Sequence, residues 1–136
     1  MKYLCPVLFL IFSSTCSATL WSQEAPENMD FDPSFSHVVY FWLHNPEDSL
    51  DRTQFETALS KLFRNSQYTK TNFLGTPPKA TREVVDGSFT YAMIVTFESA
   101  EAQAAYQKEP AHLEFIEEAG HLLKDYVVYD AVGLKP

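Results

Sequence analysis

Hydrophobic and polar positions follow no period up to residue 36 and are sharply patterned from residue 37 onward. The run His37-Val38-Val39-Tyr40-Phe41-Trp42-Leu43 is rich in β-branched and aromatic residues, and predicts a strand buried on both faces. Alternation puts His37, Val39, Phe41 and Leu43 on one face and Val38, Tyr40 and Trp42 on the other. Asn45-Pro46-Glu47-Asp48-Ser49 is a turn. Beyond it Phe55, Leu59 and Leu62, with Ala58 and Phe63 beside them, recur at helical spacing to about Arg64. Residues 71–77 are extended and stopped by Gly75 and the Pro77-Pro78 pair, and residues 81–88 form a polar loop containing the turn dipeptide Asp86-Gly87. A second strong strand covers residues 91–97. Ser99 suits the N-cap of a helix from Ala100 to about Gln107. A further helix runs from Pro110 to about Ala119, with Gly120 as its stop. Residues 126–132 form the last strand.

The order β-α-β-β-α-β is that of an α+β, ferredoxin-like domain, an antiparallel sheet with its helices on one face. The other face would carry Val38, Tyr40, Trp42, Val127 and Tyr129. An apolar surface of that kind is buried in soluble proteins, and a second copy presenting the same face would bury it, so the pattern predicts a homodimer.

The unpatterned N-terminus has a different use. Residues 1–18 read as an export signal, with Lys2, an apolar run from Val7 to Phe12, and small residues at Cys16-Ser17-Ala18 that suit a signal peptidase. The apolar run is too short to be a stable membrane span. Cys16 leaves lipid anchoring open as a less favoured alternative, because Ser13-Ser14-Thr15 matches a lipobox poorly. Residues 19–36 read as a flexible tether and residues 37–136 as the folded domain. The expected location is periplasmic or extracellular. Both cysteines, Cys5 and Cys16, fall in the leader, so cleavage after Ala18 leaves a domain without disulfide, thiol catalysis or zinc–thiolate site. The net charge of −8 argues against nucleic acid and anionic lipid surfaces.

Candidate chemistry concentrates in Tyr106-Gln107-Lys108-Glu109-Pro110-Ala111-His112. Proline belongs in the first turn of a helix, so Tyr106 closes one helix and His112 opens the next. The positive end of the helix dipole disfavours a protonated His112, and a neutral imidazole near a phenol is a possible proton-transfer pair. An alternative is a structural corner, with the imidazole bonded to a backbone carbonyl and the phenol capping a helix end. Elsewhere, His37 suits a pocket rim, His44 a solvated turn and His121 a helix end. Glu114, Glu117 and Glu118 suit a solvent face. The four histidines and scattered carboxylates match no metal-ligand spacing, and there is neither a phosphate loop nor a nucleophile elbow, so no metal is expected.

The same residues carry a resemblance. The strand at 37–41, Thr90-Tyr91-Ala92-Met93-Ile94-Val95-Thr96-Phe97-Glu98-Ser99, the Tyr106 to Phe115 stretch with Pro110-Ala111-His112, and Val127-Val128-Tyr129-Asp130 together resemble the stress-responsive dimeric α/β-barrel family over residues 37–132. The resemblance implies a dimer whose two sheets form a barrel. A plant polyketide-cyclase branch of the family uses a tyrosine–histidine pair for an aldol-type ring closure, and by motif position the pair is Tyr106 and His112. That branch has its pocket between sheet and helices. The positions implied here are His37, Val39, Phe41, Phe55, Leu59, Met93, Val95, Phe115, Leu123 and Val128. Departures are Tyr91 and Glu109, where the branch has histidines, and Leu123, where it has tryptophan. Three functions follow as expectations. The first is an exported homodimer binding a small apolar molecule. The second is a cofactor-free cyclase, lyase or monooxygenase acting through His112 and Tyr106. The third is a purely structural dimer.

Overall fold

The computed structural model describes residues 34–79 and 82–134. The segments expected to be an export signal (residues 1–18, with Cys16) and most of a tether (residues 19–33) lie outside the described residues. The elements are β1 (Phe35–Leu43), α1 (Ser49–Asn65), β2 (Asn72–Gly75), β3 (Tyr91–Phe97), α2 (Ala100–Tyr106), α3 (Pro110–Ala119), a 3-10 turn (Gly120–Leu122) and β4 (Leu123–Val132). The four strands form an antiparallel sheet ordered β2-β3-β1-β4. This is the ferredoxin-like α+β fold.

Strand β1 begins two residues earlier than its hydrophobic run. Phe35 pairs with Phe97 and Val132 and is buried, so residues 35 and 36 belong to the sheet and not to the tether. Along β1, burial alternates strictly, with Phe35, His37, Val39, Phe41 and Leu43 on the covered face. Helix α1 starts where the Asp48 carboxylate accepts the Leu50 and Asp51 amides at 2.8 and 3.1 Å, satisfying two of the donors that a helix start leaves free. Its buried stripe, Phe55, Ala58, Leu59 and Leu62, has the spacing that one helix face requires. Ser99 caps α2 in the same way, accepting from Ala102 at 3.2 Å.

Helix α3 ends at Ala119 as expected, and its C-terminal cap is Gly120. Its φ is −59°, and the chain tightens through a 3-10 turn that delivers Leu122 to the core. The His44 amide then donates to the Leu122 carbonyl at 2.9 Å, so β4 can begin at Leu123 beside Leu43, three residues earlier than the pattern suggests. The acidic run on α3 is also more than a solvent face. Lys61 of α1 bridges Glu114 at 2.6 Å and Glu118 at 2.7 Å, tying the two helices together across their edge.

The core lies between the sheet and the helices. Phe55 is fully buried, stacks on Tyr91 at 5.0 Å, and meets Phe41 and Phe115 edge-on at 5.1 and 6.0 Å. Phe55→Ala removes the ring on which these three aromatics converge. It is expected to cost about 3–5 kcal/mol in denaturant unfolding. A loss under about 1 kcal/mol would place the core's centre elsewhere.

Candidate active site

The site is set by the α2–α3 corner. Helix α2 ends at Tyr106, whose carbonyl accepts the Glu109 amide at 3.2 Å while Ala105 accepts that of Lys108 at 3.0 Å. Glu109 is extended (φ −70°, ψ 152°), as a residue before proline must be, and Pro110 occupies the first position of α3. This corner turns the chain so that Tyr106 and His112 face each other, with ring centroids 4.6 Å apart and planes at 57°. Phe97 packs on Tyr106 at 4.9 Å, and His37 meets the tyrosine ring edge-on at 6.1 Å.

These rings border a cavity of about 140 Å³ between the sheet and α3. His37, Val39, Phe41, Met93, Tyr106, His112, Phe115, Leu123 and Val128 line it, together with Gln107, Ile116 and Tyr126. Phe55, Leu59 and Val95, which the resemblance placed on the wall, are fully buried in the core and do not line it. Gln107, Ile116 and Tyr126 were legible only in part. Ile116 lies one turn after His112, and Tyr126 shares strand parity with Val128. A larger cleft of about 480 Å³ lies beside Trp42, His44, Glu47, Arg52 and Lys124, but its lining is mainly polar and flanked by exposed polar side chains. The smaller cavity combines an apolar wall with a few converging polar groups, the usual form of a small-molecule site.

Each polar group on the wall has a distinct state. His37 is buried, and its Nδ1 is 2.6 Å from Asp130 Oδ1 on the neighbouring strand. It is therefore an anchored wall residue and not a loose rim residue. Asp130 pairs with His37 in the sheet register and shares the covered-face parity of Val128, a signal that strand alternation alone contained. Tyr106 is buried, with its phenol ring on the cavity wall. Burial, with the nearby Glu109 charge, holds its acidity well beyond the ordinary phenol range, so it is a hydrogen-bond donor at neutral pH. Burial also lowers the His112 pKa below its usual value, helped by His37 and opposed by the Gln107 backbone and Glu109. His112 Nδ1 is buried without a partner. The Gln107 backbone nevertheless acts on the ring as a hydrogen-bond acceptor, as the structural-corner alternative expects of a backbone carbonyl.

The departures from the cyclase branch are placed as follows. The Tyr91 hydroxyl donates to the Glu56 carboxylate of α1, with the Arg52 guanidinium 4.9 Å from its ring, so the phenol is engaged outside the cavity. Glu109 is buried, and its Oε2 accepts the Gln67 amide at 3.0 Å. Leu123 lines the cavity and is half-buried. Among the described residues, no three of His, Cys, Asp and Glu are grouped so as to hold a metal ion, and no helix is long and apolar enough to cross a membrane.

This fold and corner match a known family. The family model for the stress responsive A/B barrel domain covers residues 35–132, and the chain belongs to that family. Among solved structures, it is similar to a hydroxynitrile lyase from Passiflora edulis, with 22% identity over 77% of this chain and 98% of that one, TM-score 0.64. It is also similar to a family member from Mesorhizobium loti with a ferredoxin-like fold, with 17% identity over 74% and 97%, TM-score 0.61. A dimeric ferredoxin-like protein of unknown function from Thermobifida fusca shares 21% identity over 73% and 90%, TM-score 0.60. At these identities the likeness shows the fold. No curated protein matches the chain significantly.

The lowered His112 pKa has a stability consequence. Folding favours the neutral imidazole, so its contribution is present above the ordinary value of 6.5 and is lost as pH falls through the lowered folded-state value. Urea unfolding between about pH 5 and about pH 8 should therefore show wild type losing more stability on acidification than His112→Gln. Parallel curves would contradict this placement of His112.

Proposed function

We propose that the protein is an exported homodimer in which each subunit takes one small, largely apolar molecule into the cavity and moves a proton on it without a cofactor. The observation that carries this reading is the convergence of the Tyr106 phenol and the His112 imidazole on one apolar cavity. A solidly packed core at this place would have favoured a purely structural role. A volume of about 140 Å³ is close to the roughly 150 Å³ engineered cavity that takes up benzene, so the ligand class is a single small ring or a short branched chain.

The chemistry follows from the states of the two groups. A neutral His112 takes a proton from a carbon next to a carbonyl, so the C–H bond breaks and its electron pair moves to the carbonyl oxygen. Tyr106, kept protonated by burial, donates a hydrogen bond to that developing enolate. In a ring closure the enolate carbon attacks a second carbonyl of the same molecule. The new C–C bond forms as that C=O π pair moves to oxygen, and His112 gives its proton to the resulting alkoxide. Run in reverse the same C–C bond breaks, which makes the reaction class that of an aldol-type cyclase or lyase. The structural likeness to a hydroxynitrile lyase supports a lyase on this fold.

The dimer rests on the open sheet face. Val38, Tyr40, Val127 and Tyr129 share it by register, and Tyr129 remains 61% exposed in the single chain. Neighbours with this fold are described as dimeric. The leader pattern of residues 1–18 supports export.

Cyclohexanone serves as a probe of proton abstraction. Wild type should catalyse exchange of its α-hydrogens for deuterium. His112→Gln should slow that exchange about 100-fold or more with the fold intact, and unchanged exchange would remove His112 from the chemistry. The dimer is tested separately by sedimentation of the mature protein at micromolar concentration. A two-subunit species that Tyr129→Glu converts to monomer is expected, and a monomeric wild type would contradict it.

A further inference from the structure

Two buried side-chain polar atoms among the described residues have no hydrogen-bond partner, Glu109 Oε1 and His112 Nδ1. They lie three residues apart in one corner, on the N-cap and the third residue of α3, on either side of Pro110. Native interiors leave few such atoms, and each asks for an explanation. A buried carboxylate oxygen needs a donor, and an imidazole nitrogen supplies one whenever it carries the ring proton.

Glu109 is an unusual N-cap. Asp48 and Ser99 accept amides of their own helices, as caps normally do, whereas Glu109 makes no side-chain cap bond. Its Oε2 is instead engaged by the Gln67 amide at 3.0 Å, in the loop after α1, which draws the carboxylate into the protein. The residue is 5% exposed, so bulk water cannot freely satisfy the second oxygen.

We propose that Glu109 Oε1 accepts the Nδ1–H of His112 through one buried water that bridges the two otherwise unpartnered atoms, and so acts as the positioning residue of the site. The ring proton is then held on Nδ1, and the Nε2 lone pair is free to take a proton in the cavity. A histidine whose outer nitrogen donates to a carboxylate has its tautomer and ring orientation set by that bond. The inference rests on the reading of His112 as the proton acceptor of the site. The other groups around the ring are Tyr106 from α2, His37 from β1 with its partner Asp130, and the Gln107 backbone, which is the competing acceptor.

Imidazole nitrogen NMR of ¹⁵N-labelled protein, at a pH where His112 is neutral, tests this. Wild type should show the Nδ1–H tautomer at His112. Glu109→Gln retains an oxygen for the Gln67 amide and removes the charge. It should shift His112 toward the Nε2–H tautomer and lower its pKa, because the carboxylate favours the protonated ring. An Nε2–H tautomer in wild type overturns the proposal, whether or not the variant folds. So does a tautomer and titration unchanged in a folded Glu109→Gln, which would assign the proton to the Gln107 carbonyl. The two readings fail separately. An Nδ1–H tautomer that depends on Glu109, in a protein inert toward cyclohexanone exchange, supports the pairing and removes the catalytic role.

Discussion

Pro110 has no amide hydrogen to give to Tyr106, and its ring fixes φ at a helical value, so α2 cannot run on through it while α3 can start on it. That single constraint makes the corner of residues 107–109. The corner in turn lets two aromatic side chains from successive helices meet at 4.6 Å above the sheet. A continuous helix would place residues 106 and 112 about 9 Å apart along its axis and some 120° off the same face. The cavity exists because the break in the helix leaves α3 to cover the Val39, Phe41 and Met93 side of the sheet without filling the space beside β4.

The second constraint is the cost of polar atoms in an apolar interior. The wall carries two imidazoles and, besides the exposed Tyr126, the buried phenol of Tyr106, and each of these three is handled differently. His37 is held by Asp130, which sits at the accessible edge of β4 and is 41% exposed on its side chain. Tyr106 keeps its proton because burial disfavours the phenolate. His112 keeps its neutral form for the same reason. The result is one anchored imidazole, one neutral imidazole and one protonated phenol around a space the size of a small ring. That division of protonation states is what acid–base work near neutral pH requires.

Much of this was legible in the residues. The β-branched run at 37–43, the helical spacing of Phe55, Leu59 and Leu62, and the cap at Ser99 are local signals, and the structure realises each one. The break at Pro110 was equally plain. What was not legible depended on pairing between distant segments. The start of β4 at Leu123 depends on the His44 amide reaching Leu122, a contact across nearly 80 residues that no local period encodes. The inward turn of Glu109 depends on the Gln67 amide, and the engagement of Tyr91 depends on Glu56. Phe55, Leu59 and Val95 have the right face but the wrong depth. Parity says which side of an element a residue faces, but only packing says whether space is left beside it.

The most direct test of the central claim is whether a small ring enters this cavity and reaches both groups. ¹³C NMR of the Met93, Ile116 and Val128 methyls and of the His112 ring, followed during titration with cyclohexanone, reads this at one site. The account predicts that these signals move together and saturate, and that Val39→Phe, which fills the cavity from β1, abolishes the response. Signals that stay still, or a response centred on the cleft beside Trp42 and Lys124, would contradict it.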